Sequence, residues 1–338
     1  MSDDLLVLGA RDVAGVLRGR EQAVVDAVRT AYLLHEHGQS SMPLSTFLDL
    51  PDPTTRMIAL AAQLGGETPV AGIKWIASFP ANLVHGLPRA SAVIVLNSMD
   101  TGRPVALLEG ARISAARTAA SAALAAAAIA GAPASIGLVG CGVINREILR
   151  YCRLLCPSIE RVVAYDREPG RAAGLVEELS GPARGGGPET EPTIKAEVAD
   201  SVTATCAECE VVSFATTAAS PHVGADAIHA GVATILHVSL RDLDPPALAE
   251  VDNVVDDVDH VFRANTSLHL AEQELGTRDF VRATLAQVLE GAPARVGDGP
   301  TVFSPFGLGV LDLAVAQLVV ADAATSGLGQ RLEGFHDQ

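Results

Sequence analysis

One segment limits the possible folds more than any other. Ser135-Ile136-Gly137-Leu138-Val139 is an apolar run suited to a buried strand, and Gly140-Cys141-Gly142-Val143-Ile144-Asn145-Arg146-Glu147 follows at once. Strand, glycine pair, then helix is the pattern of a phosphate-binding turn. The first glycine permits the tight bend, the second lets the backbone approach a pyrophosphate, and the helix N-terminus offers free N–H groups. The third position of the pattern is Asn145 rather than Gly or Ala. It governs helix–strand packing, so the geometry of the turn survives the change. The next strand-like run, Val162 to Tyr165, ends in Asp166. That carboxylate lies 26 residues past Gly140, near the ~20-residue spacing of an acid that binds adenosine ribose hydroxyls. An acid there favours NAD over NADP, although Arg167 beside it leaves the choice open.

The pattern around the turn extends this reading. Strand-like runs at Ser135–Val139, Arg161–Tyr165, Glu210–Ala215, Ala233–Val238 and Asn253–Asp256 alternate with helical stretches. Such alternation implies a parallel sheet with crossover helices. Ahead of it the texture differs. A helix is predicted over Glu21–His37. Strands are predicted over Arg56–Gln63, Pro69–Ser78 and Ser91–Asn97, an α+β arrangement with a mostly antiparallel sheet. The Ala-rich stretch Thr118–Ala134 reads as a buried helix, too weakly apolar to span a membrane. Gly181–Pro192 reads as a loop. The last helix, Leu308–Thr325, is apolar on more than one side and must pack on something large, either the first domain or a second subunit. The expected organisation is α/β: an α+β domain over 1–115 followed by a Rossmann-type domain over 116–314.

Composition excludes several classes. The 338 residues carry 24 Lys+Arg against 40 Asp+Glu, a net charge of -16. That balance opposes a nucleic-acid surface or a polybasic membrane anchor. Five cysteines make no disulfide framework and suit a reducing cytoplasm, and the acidic start Met1-Ser2-Asp3-Asp4 has no secretory n-region. Cys206-Ala207-Glu208-Cys209 has no matching second pair to complete a metal site, so buried thiols are the simpler reading. The acids Asp252, Asp256, Asp257 and Asp259 before His260 read as strand-end and turn carboxylates; no metal is expected.

Cations embedded in apolar sequence are more informative. Lys74, Arg89, Arg112 and Arg117 sit among small and apolar residues and need partners. Those partners are either the protein's own acids or a substrate's carboxylates, which arginine grips in bidentate fashion. His237 to Asp244 follows a strand of the parallel sheet, whose carboxyl edge lines the ligand crevice. Asp242 or Asp244 is therefore a candidate acid/base, with N-capping of the helix near Pro245 as the alternative.

Gly72-Ile73-Lys74, Ser114-Ala115-Ala116-Arg117-Thr118, the glycine turn, and Phe303-Ser304-Pro305-Phe306-Gly307-Leu308-Gly309-Val310-Leu311-Asp312 occur in order along the chain. In this the chain resembles the ornithine cyclodeaminase/mu-crystallin family. The resemblance implies a homodimer, NAD as cofactor, a small amino-acid substrate, and a substrate-binding and dimerisation domain over 1–115, completed by 315–338, around the inserted Rossmann-type domain. Gly72 to Pro80, Arg89 to Asn97 and His237 to Leu243 are most similar to one branch, dehydrogenases of N-(2-amino-2-carboxyethyl)-L-glutamate that supply 2,3-diaminopropionate for siderophores and peptide antibiotics. Cyclodeaminases proper carry Asp-x-Pro-Gly-Lys where this chain has Asp244-Pro245-Pro246-Ala247. The rival readings are ornithine cyclodeaminase, alanine dehydrogenase or imine reductase activity, and a non-catalytic nucleotide or small-ligand binder. On the favoured reading Lys74 and Asp242 are catalytic. Lys74, Arg89 and Arg117, with Arg112 and Arg241 behind them, hold the substrate carboxylates. Arg117, Thr118, Gly140, Gly142, Val143, Ile144, Asn145, Asp166, Arg167, Thr216, Ser239 and Ser304 line the cofactor; Thr118, Thr216 and Ser304 enter on the resemblance alone.

Overall fold

The computed structural model describes residues 4–52, 54–181 and 194–337. Most of the predicted loop Gly181–Pro192 lies outside the described residues. The chain divides into two compact units, 1–117 with 307–338, and 118–306. The return to the first unit comes at Gly307 rather than at 315. A boundary at 315 would cut the helix Gly309–Ser326, whose apolar residues pack as one body.

The first unit is built on an eight-stranded sheet. Arg56–Leu64, Val70–Ser78, Ala90–Asn97 and Pro104–Glu109 form an antiparallel meander, and Leu5–Leu8 joins it in parallel beside Pro104–Glu109. Alternation along these strands buries Leu60, Ala62, Ile94, Leu96, Ala106 and Leu108 on one face. Gly309–Ser326 lies on that unit's sheet, against Arg56–Leu64 and Val70–Ser78, and beside the helix Glu21–Glu36. The last helix therefore returns to the first unit. Gly72 is where it comes close: a Cβ there would stand 2.2 Å from the Val95 carbonyl oxygen and 3.2 Å from Leu313. The other face stays partly open, with Trp75 37% exposed.

The second unit is an eight-stranded, wholly parallel sheet. Its order is Lys195–Val198, Arg161–Tyr165, Ser135–Val139, Val211–Phe214, Thr234–His237, Thr301–Ser304, Asp252–Val255, Val281–Thr284. The three strands beyond the predicted five are short and carry polar residues, which masks their strand character. The chain starts at Ser135–Val139, winds outward to one side, then crosses to Val211–Phe214. That reversal places a crevice at the carboxyl ends of these two strands, where open α/β sheets hold their ligands. Cys206 and Cys209 are buried in this unit's apolar core, where burial pushes both thiols up to about 12. The acids near His260 hold the fold: Asp252 pairs with Arg282, Asp256 accepts from Phe306 N, and Asp257 caps the turn at His260.

Candidate active site

In the second unit, Gly140 ends the central strand with φ +88°, and a Cβ on it would lie 2.7 Å from the Ala215 carbonyl oxygen. Gly142 is the N-cap of Val143–Leu155, and no side chain caps that helix. A Cβ on Gly142 would meet nothing within 4 Å. The result is an open glycine face over uncapped N–H groups, the shape and charge that fit a pyrophosphate. Val143, although apolar, is 69% exposed beside it.

Asn145 is not at the lip of this cradle. It is buried and donates to the carbonyls of Val139, Gly140 and Ser213, while its side-chain oxygen accepts from Ser213 Oγ. Its side chain therefore braces the turn instead of lining a ligand, which corrects the expected role. The reason is chemical: where most such turns pack a small residue, this one spends an amide on three strand-end carbonyls. Asp166 follows the next strand as expected. One oxygen accepts from Cys141 N at 2.8 Å and the other from Glu168 N at 2.9 Å, so the carboxylate ties the turn while keeping lone pairs for ribose hydroxyls. Arg167 is exposed.

Farther along the same carboxyl edge, Asp242 is fully buried. It accepts from the hydroxyls of Thr216 and Ser239 and from His222 Nε2 at 3.2 Å. His237 Nε2 lies 3.5 Å from its other oxygen, and His237 Nδ1 lies 3.3 Å from Ser304 Oγ. Burial pushes the Asp242 pKa up. The His237 hydrogen bond and charge, then the Ser239 and Thr216 hydroxyls, more than offset this and hold the carboxyl well below the usual range. A buried carboxylate already holding two hydroxyls and an imidazole is a poor acid/base. This geometry corrects the proton-transfer role expected of Asp242. Asp244 is exposed and stands at the N-cap of Pro245–Leu248 without a side-chain capping bond. Arg241 donates to the Ala264 carbonyl at 2.6 Å.

In the first unit, Lys74 stands mid-strand, opposite Leu60 and Ile94, and is 1% exposed. Its Nζ lies 2.5 Å from Asp312 Oδ2 and 3.3 Å from Ser114 Oγ. Arg117 Nε donates to the other oxygen of Asp312 at 3.1 Å. One buried carboxylate thus holds two cations. Gly307, at φ +95°, lets the backbone pass over the guanidinium: a Cβ there would be 2.7 Å from Arg117 Nη1. Burial pushes the Lys74 pKa down to about 8; the Asp312 charge resists the fall and Arg117 adds to it. A lysine so placed can exchange a proton near neutral pH. Arg89 is half-buried and donates to Ser78 Oγ at 2.8 Å, and among the described residues no carboxylate pairs with it. Its burial lowers its pKa without any compensating acid. Arg112 is exposed at the start of Ala111–Ala130, and Thr118 is half-buried along that helix. Of the four embedded cations, Lys74 and Arg117 share one acid, Arg89 has no carboxylate partner among the described residues, and Arg112 is exposed.

Asp312, Ser114 and His222 were not among the expected site residues. Asp312 had a readable signal: it is an acid within the apolar first half of the last helix. His222 had none, since a lone histidine in a loop is unremarkable until Asp242 is found beside it.

The fold and the glycine cradle define a Rossmann-type dinucleotide-binding protein with an appended α+β unit. Residues 5–327 match the model of the ornithine cyclodeaminase/mu-crystallin family, and the chain belongs to that family. It is 28% identical to N-((2S)-2-amino-2-carboxyethyl)-L-glutamate dehydrogenase of Staphylococcus aureus, over 98% of this chain and 99% of that one. Among solved structures it is similar to Thermococcus litoralis Delta(1)-pyrroline-2-carboxylate reductase in complex with NADH and L-proline. That match has TM-score 0.86 and 25% identity and covers 97% and 100% of the two chains. An archaeal alanine dehydrogenase dimer with bound NAD matches at TM-score 0.82 and 26% identity, covering 98% and 99%.

Proposed function

We propose that this protein is an NAD-dependent oxidoreductase that cleaves N-(2-amino-2-carboxyethyl)-L-glutamate to 2-oxoglutarate and L-2,3-diaminopropionate. The observation that carries the reading is the convergence of Lys74 and Arg117 on Asp312, with Arg89 left unpaired by any acid. A substrate with three carboxylates needs several cations, and a substrate such as alanine needs fewer. The S. aureus relative supports the same choice.

Gly140, Gly142, the first turn of Val143–Leu155 and Asp166 would hold the cofactor, which when bound supplies a hydride acceptor. Arg89 and Arg117 bind and orient the substrate carboxylates. Lys74, with its pKa brought to about 8, takes the proton that a secondary amine carries in water, because hydride cannot leave beside a protonated nitrogen. The resulting imine is hydrolysed to the two products. Two copies of the chain pair through the open sheet face of the first unit, where Ala61, Ile73, Val95 and Leu107 line up in register beside Trp75. The dimeric alanine dehydrogenase neighbour supports a dimer.

The test is NADH formation with this secondary amine, run beside ornithine, alanine and proline. Turnover of the secondary amine with release of 2-oxoglutarate supports the assignment. Ammonia from alanine or ornithine, with no turnover of the secondary amine, refutes it. Two further results are expected. The oxidative rate should rise through about pH 8 as Lys74 loses its proton. Gly140→Ala should weaken NADH binding on the order of tenfold or more, since its Cβ clashes at φ +88° and the strain alone is about 1–2 kcal/mol. Fluorescence titration of NADH reads the second directly.

A further inference from the structure

Resting on that reading, we infer that His222 is the proton-transfer group for imine hydrolysis and that Asp242 is its positioning residue. The segments that follow strands Val211–Phe214 and Thr234–His237 are clipped together at the carboxyl edge of the sheet. His222 N and Val223 N both donate to the Asp242 carbonyl, at 2.8 and 2.9 Å, and Asp244 N returns a bond to Val223 O. The clip brings the His222 ring onto the buried carboxylate, Nε2 to Oδ1 at 3.2 Å. Thr216 and Ser239 hold the carboxylate from the same two segments. Leu240 adopts φ +67° between Ser239 and Asp242, a costly conformation for a branched side chain and one that tends to persist where function requires it.

The arrangement fixes the tautomer. An ionised carboxylate only accepts, so the proton of a neutral His222 ring sits on Nε2. Nδ1 then carries the lone pair. Among the described residues Nδ1 has no partner, and the side chain is 44% exposed. A buried acid that orients an imidazole whose other nitrogen is open is the logic of an oriented general base. Both Asp242 oxygens are already occupied, one by the Thr216 hydroxyl and His222 and the other by the Ser239 hydroxyl, which leaves the imidazole as the outward-facing group.

The step balances. Water adds its oxygen to the protonated imine carbon, and Nδ1 takes one water proton. The same proton passes to the bridging nitrogen. The carbon–nitrogen bond breaks with its electron pair going to nitrogen, and Nδ1 takes the hydroxyl proton as the carbonyl forms. One proton is finally released to solvent, and nothing is oxidised or reduced.

The test is a rapid-mixing comparison of wild type, His222→Ala, His222→Gln and Asp242→Asn with the secondary amine. Both His222 variants should bind NADH normally and give a first-turnover burst of NADH. Steady-state kcat should then fall by about 10²–10⁴-fold with KM little changed, and added imidazole should restore part of it in His222→Ala. Asp242→Asn should show the same split between kcat and KM. Unchanged steady-state rates in the His222 variants, or loss of burst and turnover together, would overturn the inference while leaving the reaction standing. Absence of any NADH from wild type would overturn the reaction and this role with it.

Discussion

Asp312→Asn is expected to cost about 3–5 kcal/mol of folding stability, because it strands two buried cations at once. Lys74 and Arg117 are 2% and 11% exposed in their side chains, and Asp312 is fully buried. Neither cation has another carboxylate among the ion pairs of the described residues. The cost should depend on pH with a definite sign. The Asp312 charge raises the Lys74 pKa, so its removal takes that pKa below about 8. The unfolded value is the ordinary 10.5. Between the two values the unfolded chain binds more protons than the folded one, so the Lys74 contribution improves as pH rises through that window. Wild type shares the part of that window above about 8, so the penalty in Asp312→Asn is greatest at low pH, eases as pH rises toward 8 and is level above it. Urea unfolding at several pH values reads both effects. A loss under about 1 kcal/mol, independent of pH, would mean that the cluster is not held as described.

Lys74→Met is expected to lower kcat by about 10²–10⁴-fold, the usual contribution of a placed acid/base. The substitution nearly conserves volume in a fully buried position, and Arg117 remains to neutralise Asp312. NADH binding should therefore persist, since the glycine cradle belongs to the other unit. The rise of rate through about pH 8 should vanish in the variant. Retention of that rise would assign it to another group and remove Lys74 from the chemistry.

How much of this was legible before the structure follows from what each feature depends on. The glycine turn was legible because strand, bend and helix are local and the glycines are demanded by backbone geometry. Three strands of the antiparallel meander are legible from alternation and turn residues, but the fourth, Pro104–Glu109, is not among those expected. The strands Lys195–Val198, Val281–Thr284 and Thr301–Ser304 were not, since four-residue edge and insertion strands carry too little pattern. The resemblance to the ornithine cyclodeaminase/mu-crystallin family holds over residues 5–327. Site residues divide the same way. Lys74 and Arg117 stand out in the sequence as cations in apolar surroundings, yet their shared acid lies about 200 residues away on the last helix. No local pattern joins such positions. Asn145 and Asp242 were recognised as special, but polarity alone does not say whether a side chain faces a ligand or braces the turn beneath it. Burial and hydrogen-bond partners decide that, and both are tertiary properties.

In the proposed reaction the bond between the glutamate α-carbon and the bridging nitrogen breaks by way of a hydrolysed imine. The most direct test uses N-(2-amino-2-carboxyethyl)-L-glutamate with an isotopic label on that nitrogen, turned over with NAD in heavy-oxygen water and analysed by mass spectrometry. The nitrogen label should leave in 2,3-diaminopropionate, and the new ketone oxygen of 2-oxoglutarate should come from water. Label recovered as ammonia, or a substrate returned intact while alanine or ornithine is consumed, would contradict it.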